Sequence, residues 1–413
     1  MADATDPQTF FRNPYPFYAV LRDRRIFWDA RHGCWQATRY EDITLILNDS
    51  RFGKTVRESS ENRVPTELQQ RQSLSRGILN TDPPDHTRIR RLMVKGFSPS
   101  RIESMRPVAQ QLADRLIDAK ITSGAMEIMA DLANPIPAKV VGDMLGVPEA
   151  DRDSFGALSN DVIRYGNDIQ LSDNVKARAA VDQFDRYLRQ LLEHKRRVPG
   201  NDLTTALIQA EDEAGRLTDE ELIHNICLLF IAGHESTVNL IGNALIALHQ
   251  FPEQRQKLRA DPSLTRRAVE EFLRFDAPVQ QLPRIAREDV EIGGRKIRAG
   301  QMVVCILGAA NHDPAIYPDA DALDIERPFR RSKSFGGGPH FCLGAQLARM
   351  EAEIALGTLL RRIPDLELIN VESVQYRTNP VFRGPVTLYA RWTPQALTAE
   401  KHEGDPRVRS QLA

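Results

Sequence analysis

A chain of 413 residues, 41% hydrophobic and 27% charged, has the composition of an ordinary globular protein and the length for one large core or two smaller ones. Its 55 Lys+Arg against 56 Asp+Glu leave a net charge of -1, without the basic excess that nucleic-acid binding requires. Four cysteines, at 34, 227, 305 and 342, are too few for a disulfide framework and form no CxxC pair, so a reducing cytoplasm is expected. The opening MADATDPQTFFRNPYPF puts acids and prolines where a signal peptide needs a basic segment and an apolar run. No later stretch approaches the roughly 18 uninterrupted apolar residues of a spanning helix. The expectation is a cytoplasmic monomer that contacts neither membrane nor nucleic acid.

In chain order, residues 33–40 (GCWQATRY) are aromatic and β-favouring, a strand bounded by Gly33 and the charges after Tyr40. Over 82–99 (DPPDHTRIRRLMVKGFSP) a helix is predicted after Pro83-Pro84, with His86 and Arg90 at i,i+4 on one face. Helical apolar spacing with solvated charged faces predicts helices over 104–120, 136–146 and 178–197. The segment 217–251 begins with a capping box, Thr218 with Glu221, and is apolar on all sides, which predicts a helix buried through the core. EEFLRF, 270–275, sets Glu271 and Arg274 at i,i+3 on a further helix. Residues 288–307 read as a hairpin turning at Gly293-Gly294, with IRAGQMVVCIL as a second strand pair. Pro-containing loops at 312–319 and 326–339 lead into FGGGPHFCLG (335–344), and a helix then runs until just before Pro364. The polar stretch from about Thr398 is expected to fray. Without repeats or a low-complexity linker, the expectation is one mainly α domain, 1–413, with β-rich portions at 26–40, 285–307 and 370–392.

Two segments carry residues that packing alone does not call for. In FGGGPHFCLG, the glycines and Pro339 forbid regular structure and let backbone approach something closely. Cys342 then stands at the start of a helix, where free N–H groups and the macrodipole are expected to lower a thiol's pKa and favour a thiolate, a good soft ligand for iron. In the apolar 217–251 helix, AGHEST (232–237) is the anomaly. Ser236 and Thr237 can bond back to carbonyls four residues earlier and open a groove, and Glu235 lies beside them. His234-Glu235 invites a zincin reading, but position 238 is valine and HExxH fails.

FGGGPHFCLG resembles the haem-binding loop of the cytochrome P450 family, of the soluble bacterial, ferredoxin-dependent type, and the resemblance extends through most of the chain. It implies the family's mainly α triangular prism with a smaller β-rich region. It also implies haem b (iron protoporphyrin IX) with Cys342 as axial metal ligand, Phe335 near the sulfur, and Gly336 and Gly344 in the loop that meets the cofactor. His86 and Arg90 resemble the HxxxR propionate clamp, and Arg284 and His340 match further propionate partners. Glu271 and Arg274 resemble the ExxR pair, with Arg327 of DIERPF as third member of a structural network; neighbouring Glu270 has no arginine at i+3. AGHEST resembles the dioxygen groove, where Ala232 and Gly233 leave room over the iron and Glu235, Ser236 and Thr237 relay protons. The family most often has threonine directly after the acid; here it is Ser236, which keeps the hydroxyl but loses the methyl that restricts its rotamer.

No dinucleotide fingerprint and no flavin domain are present, so electrons are expected from NAD(P)H through a ferredoxin and its reductase. Arg91, Lys95, Arg330, Arg331, Lys333 and Arg349 form the expected basic docking face. The resemblance implies hydroxylation or epoxidation of a small to medium hydrophobic metabolite by dioxygen. It places the pocket among 52–80, 155–190, the groove helix, 279–283 and Val381-Phe382, with Leu79, Leu229, Val279, Leu282 and Phe382 as its lining. Arg57, Arg63, Arg71, Arg76 and Arg164 in those regions leave an anionic or carrier-tethered substrate open. A peroxide-driven peroxygenase or a non-catalytic haem sensor would share the thiolate loop, but the Glu235-Ser236 pair argues against both.

Overall fold

The computed structural model describes residues 7–55, 77–151, 154, 155, 158, 175–213 and 215–395. Arg57, Arg63, Arg71, Arg76, Arg164 and the tail from Thr398 lie outside them. The chain starts with α1 (Pro7–Arg12), α2 (Tyr15–Asp23), the hairpin β1 (Ile26–Asp29) and β2 (Cys34–Ala37), α3 (Tyr40–Asn48) and β3 (Phe52–Gly53). The expected strand over 33–40 is therefore shorter, because Tyr40 opens a helix whose first turn carries Glu41 and Asp42. Then come α4 (Asp85–Gly96), α5 (Pro99–Ser104), α6 (Arg106–Ile121), β4 (Ala125–Glu127), α7 (Pro135–Leu145), α8 (Val175–Arg197) and α9 (Leu203–Gln209).

A two-stranded turn, β5 (Glu211–Asp212) with β6 (Gly215–Arg216), precedes the long helix α10 (Asp219–Gln250). Its capping box forms as the sequence predicts: the Glu221 N–H donates to Thr218 Oγ1 at 3.2 Å, and the Thr218 N–H donates to Glu221 Oε2 at 2.9 Å. From Val238 to Leu248 every residue of α10 is buried. The helix therefore runs through the main core, packed on α7, α8 and α14 (Ala345–Arg362). Between α10 and α14 lie α11 (Pro252–Ala260), α12 (Thr265–Phe275), β7 (Gln281–Ala286), β8 (Val290–Ile292), β9 (Arg295–Ile297), β10 (Met302–Ile306) and α13 (Leu307–Asn311).

The larger sheet has the order β1-β2-β10-β7-β3, with β10 parallel to β2 and antiparallel to β7. This corrects the expected second strand pair within 288–307. The hairpin is only β8 with β9, and Met302–Ile306 instead joins strands from both sides of the chain. Within 370–392, the third strand-rich region, only β12 (Tyr389–Arg391) is a strand; it pairs with β11 (Glu367–Ile369) and β4. Isolated bridges Val279–Phe382 and Tyr376–Pro385 supply the rest.

Candidate active site

The loop Phe335–Gly344 sits between α3 and the start of α14. Gly336 and Gly338 have φ of +69° and +64°, left-handed values natural to glycine. A Cβ on Gly338 would lie 2.0 Å from the Leu47 carbonyl oxygen, so the loop is seated directly on α3. The Cys342 N–H donates to Phe335 O at 3.0 Å and closes the loop.

Cys342 is exposed, yet dense protein surrounds its sulfur; the accessible surface measures its reach, the surroundings its dielectric. Burial raises the thiol pKa, while the Gly344 N–H, Arg349 and Arg90 pull it down. The helix start therefore does not make the thiolate by itself, as the sequence reading expected; the charge of a coordinated metal deprotonates such a thiol outright. Phe335, the first residue of the loop, is half-buried under the Arg349 guanidinium at 4.4 Å.

Beside this loop four basic groups converge. His86 of α4 is 1% exposed, and both its ring nitrogens are buried without a hydrogen-bond partner among the described residues. Its ring stands 4.1 Å from that of His340. Burial, then His86, Arg284 and Lys54, drive the His340 pKa down to about 3. Arg284 of β7 is 2% exposed, and its pKa is lowered by burial. Lys54, absent from the sequence reading, is brought down to about 7 by burial and Arg284, with Nζ 3.4 Å from Pro283 O. The nearby carboxylate, Asp82, is occupied by the Lys54 and Thr55 amides, the Thr55 hydroxyl and Arg287. Buried cation-forming groups that depress one another call for an anion, and two haem propionates fit them. Arg90 is placed differently from the expectation: its guanidinium donates to Phe341 O at 2.7 Å, tying α4 to the thiol loop.

Glu271 joins Arg274 and Arg327 in one hydrogen-bonded cluster. Arg274 donates to Glu271 at 2.7 and 2.8 Å, and Arg327 to Glu271 Oε1 at 3.1 Å. Arg274 further donates to Asn311 O, Ala320 O and Ala322 O. Asn311, also missed in the sequence, accepts the Lys333 N–H at 2.7 Å and donates to Ser334 Oγ at 2.9 Å. Through it the network reaches the residues just before Phe335. Glu270 pairs with Arg349 on the outer side instead.

On α10, Ala232 is exposed, and a Cβ on Gly233 would meet only Val141, at 3.8 Å. Ser236 Oγ donates to Ala232 O and Thr237 Oγ1 to Gly233 O, both at 3.1 Å. Glu235 is 3% exposed and faces Arg377. Thr237 is 1% exposed and meets Glu351 of α14, a fully buried acid whose pKa is pushed up to about 8. That places Thr237 in the packing behind Ser236. Of the expected lining residues, Val279 bridges to Phe382, and Leu282 Cδ1 lies 3.2 Å from where a Gly336 Cβ would be. Leu229 is half-buried against the main core, and Leu79 is 42% exposed on a short helical turn. Of the expected docking residues, Lys333 is buried, its ammonium 3.9 Å over the Tyr40 ring, and cannot meet a partner. Arg91 is paired with Asp212 and Lys95 with Glu211 O, whereas Arg330 and Arg331 are exposed.

Fold and site together define a haem-thiolate oxygenase. The "Cytochrome P450" family profile matches residues 172–364. The chain is 41% identical over 397 residues to a vitamin D(3) 25-hydroxylase of Pseudonocardia autotrophica, covering 93% of this chain and 96% of that protein. It is 38% identical to the cytochrome P450 monooxygenase PikC of Streptomyces venezuelae, covering 93% and 92%. Among solved structures, P450BioI in complex with hexadec-9Z-enoic acid ligated acyl carrier protein superposes with a TM-score of 0.84 at 36% identity, covering 94% of this chain and all of that one. The chain belongs to the cytochrome P450 family, as a monooxygenase of the bacterial kind with a haem cofactor. Among the described residues no helix is long and apolar enough to cross a membrane.

Proposed function

We propose that the protein inserts one atom of dioxygen, by hydroxylation or epoxidation, into a small to medium hydrophobic metabolite, using electrons from NAD(P)H passed through a ferredoxin and its reductase. Haem b is the proposed form of the cofactor, and a cytoplasmic monomer the proposed state. The observation that carries this reading is the Glu235-Ser236 pair on the stretch of α10 that Ala232 and Gly233 leave open. The relative named for vitamin D(3) 25-hydroxylation supports the substrate class.

Haem would be held by the Cys342 sulfur at its iron and by His86, His340, Arg284 and Lys54 at its propionates, and it would supply the activation of dioxygen. Glu235 passes a proton to Ser236 Oγ, and the serine proton, which now points at Ala232 O, passes on toward the cleft. Exposed Arg330 and Arg331 support docking of an acidic ferredoxin.

The reduced protein under carbon monoxide should show the red-shifted Soret band of thiolate ligation, and Cys342→His should abolish it. NADPH turnover through ferredoxin and reductase, set against peroxide alone, separates the monooxygenase from a peroxide-driven enzyme; faster product formation with peroxide would reject the proposal. Ser236→Ala should raise peroxide formed per NADPH, and unchanged coupling would remove Ser236 from the relay.

A further inference from the structure

We infer that the buried Asp276–Arg383 pair, held by Tyr15, is a positioning device for the substrate pocket that sets where Val279 and Phe382 stand. This rests on the reading of Val279 and Phe382 as pocket lining given above. The two residues meet in an antiparallel bridge. On either side of it the Gln280 N–H donates to Val381 O at 2.8 Å and the Arg383 N–H to Pro278 O at 2.9 Å. That pattern makes Val279 and Phe382 a directly opposed pair with side chains on one face, while Gln280 and Arg383 point to the other. Burial divides the same way: Val279 and Phe382 are half-buried, Gln280 and Arg383 buried. One face is left open to a ligand, and the other is closed.

The closed face is anchored by charge. Arg383 Nε donates to Asp276 Oδ1 at 2.6 Å, and the Tyr15 hydroxyl donates to the same oxygen at 2.6 Å. The two remaining guanidinium nitrogens donate to Phe11 O and Arg12 O, the last carbonyls of α1, where a cation is favoured. Gln280 Nε2 donates to the Tyr15 hydroxyl oxygen at 3.3 Å. Burial, then the charge of Asp276, holds the Tyr15 pKa well above its ordinary value, so the hydroxyl stays a donor. An arginine with every nitrogen engaged is fixed in place by the planar fork of its guanidinium.

Helix α10 closes the assembly from a third side. Asn243 Nδ2 donates to Asp276 O and to Arg383 O, both at 3.1 Å. A Cβ on Gly384 would lie 2.2 Å from Asn239 Oδ1, and one on Gly242 would lie 2.7 Å from Pro385 Cγ, so the segment after Phe382 is pressed onto α10 without slack. A change at the anchor therefore finds its freedom toward the open face, where Val279 and Phe382 stand. Tyr15, on the closed face and 261 positions before Asp276, in this way acts on selectivity without touching substrate.

The test compares ferric, haem-loaded wild type with Tyr15→Phe, Phe382→Ala and the Tyr15→Phe/Phe382→Ala double variant. The probes are imidazole and 4-phenylimidazole, nitrogen ligands of the iron whose binding shifts the Soret band. Imidazole reports access to the iron, and the added phenyl ring reports the wall beside it. Phe382→Ala should weaken 4-phenylimidazole relative to imidazole by roughly two- to tenfold, the worth of one aromatic pair. Tyr15→Phe should shift the same ratio by about threefold, less than a whole hydrogen bond is worth, with the thiolate carbon monoxide spectrum kept. In the Phe382→Ala background it should add nothing, because the tyrosine acts through Phe382. A merely structural tyrosine would lower the melting temperature and leave the ratio alone. If Phe382→Ala shifts the ratio and Tyr15→Phe does not, the inference falls and the pocket reading stands. A wild-type ratio in Phe382→Ala removes both. Full additivity of the two shifts also overturns the inference. Should Tyr15→Phe lose the thiolate spectrum, Arg383→Lys takes its place, and an unshifted ratio there is equally fatal.

Discussion

Glu271 shows how far a single side chain can be read. Its i,i+3 arginine distinguished it from Glu270, and the structure puts Glu271 at 5% exposure with Arg274, Arg327 and the Asp324 N–H on its oxygens. Glu270 shares a partly exposed bridge with Arg349. Removing one member of a buried charged network strands its partner, whereas a surface bridge contributes little. Arg274→Ala should therefore cost about 3–5 kcal/mol in urea unfolding, and Glu270→Gln less than about 1 kcal/mol. Equal losses would contradict the assigned roles. Lys54 is the opposite case. Nothing in FGK distinguishes it, and its depressed pKa exists only because folding brings Arg284 and a dense wall of protein beside it.

At the scale of elements, two devices set the site. The capping box holds the start of α10, and Thr218→Ala should lower global stability by about 1 kcal/mol, read as a shift of the urea midpoint with unchanged slope. The thiol loop depends on seating rather than capping. Gly338→Ala combines a φ of +64° with a Cβ 2.0 Å from Leu47 O, so the loop must leave α3. Haem retention should drop in that variant, and hydrogen exchange should speed up at 335–342 while α10 stays protected. Retained haem with wild-type exchange would show that the seating does not matter. Glycine and proline punctuation made this loop legible; the helix it rests on did not show, because seating on α3 joins residues almost 300 positions apart.

For the whole molecule, the burial of Glu351 where α14 packs on α10 makes stability depend on pH, the Thr237 hydroxyl opposing the shift only in part. Folding raises the Glu351 pKa from 4.5 to about 8, so the folded state binds the proton more tightly than the unfolded chain. Its stabilisation is complete below pH 4.5 and is lost as pH rises through 8. Glu351→Gln keeps the shape without the ionisation. The melting temperature of the variant relative to wild type should therefore climb steadily from pH 5 to pH 8.5; a difference independent of pH would mean that Glu351 does not titrate in this range.

The sequence by itself determined the class of chemistry through a family resemblance, since Cys342 in its glycine-rich loop, Glu271 with Arg274, and Glu235-Ser236 are local patterns that can be matched without the fold. It also determined the long helices, because apolar period and capping residues act within a few turns. Tertiary structure alone decided which strands share a sheet, that Lys333 turns inward onto Tyr40, and that Thr237 packs against Glu351. It also set the protonation balance at Cys342, which the helix start favours and burial opposes. Those outcomes depend on dielectric and on contacts between distant segments, and a dielectric comes into being only when the chain has closed around the group.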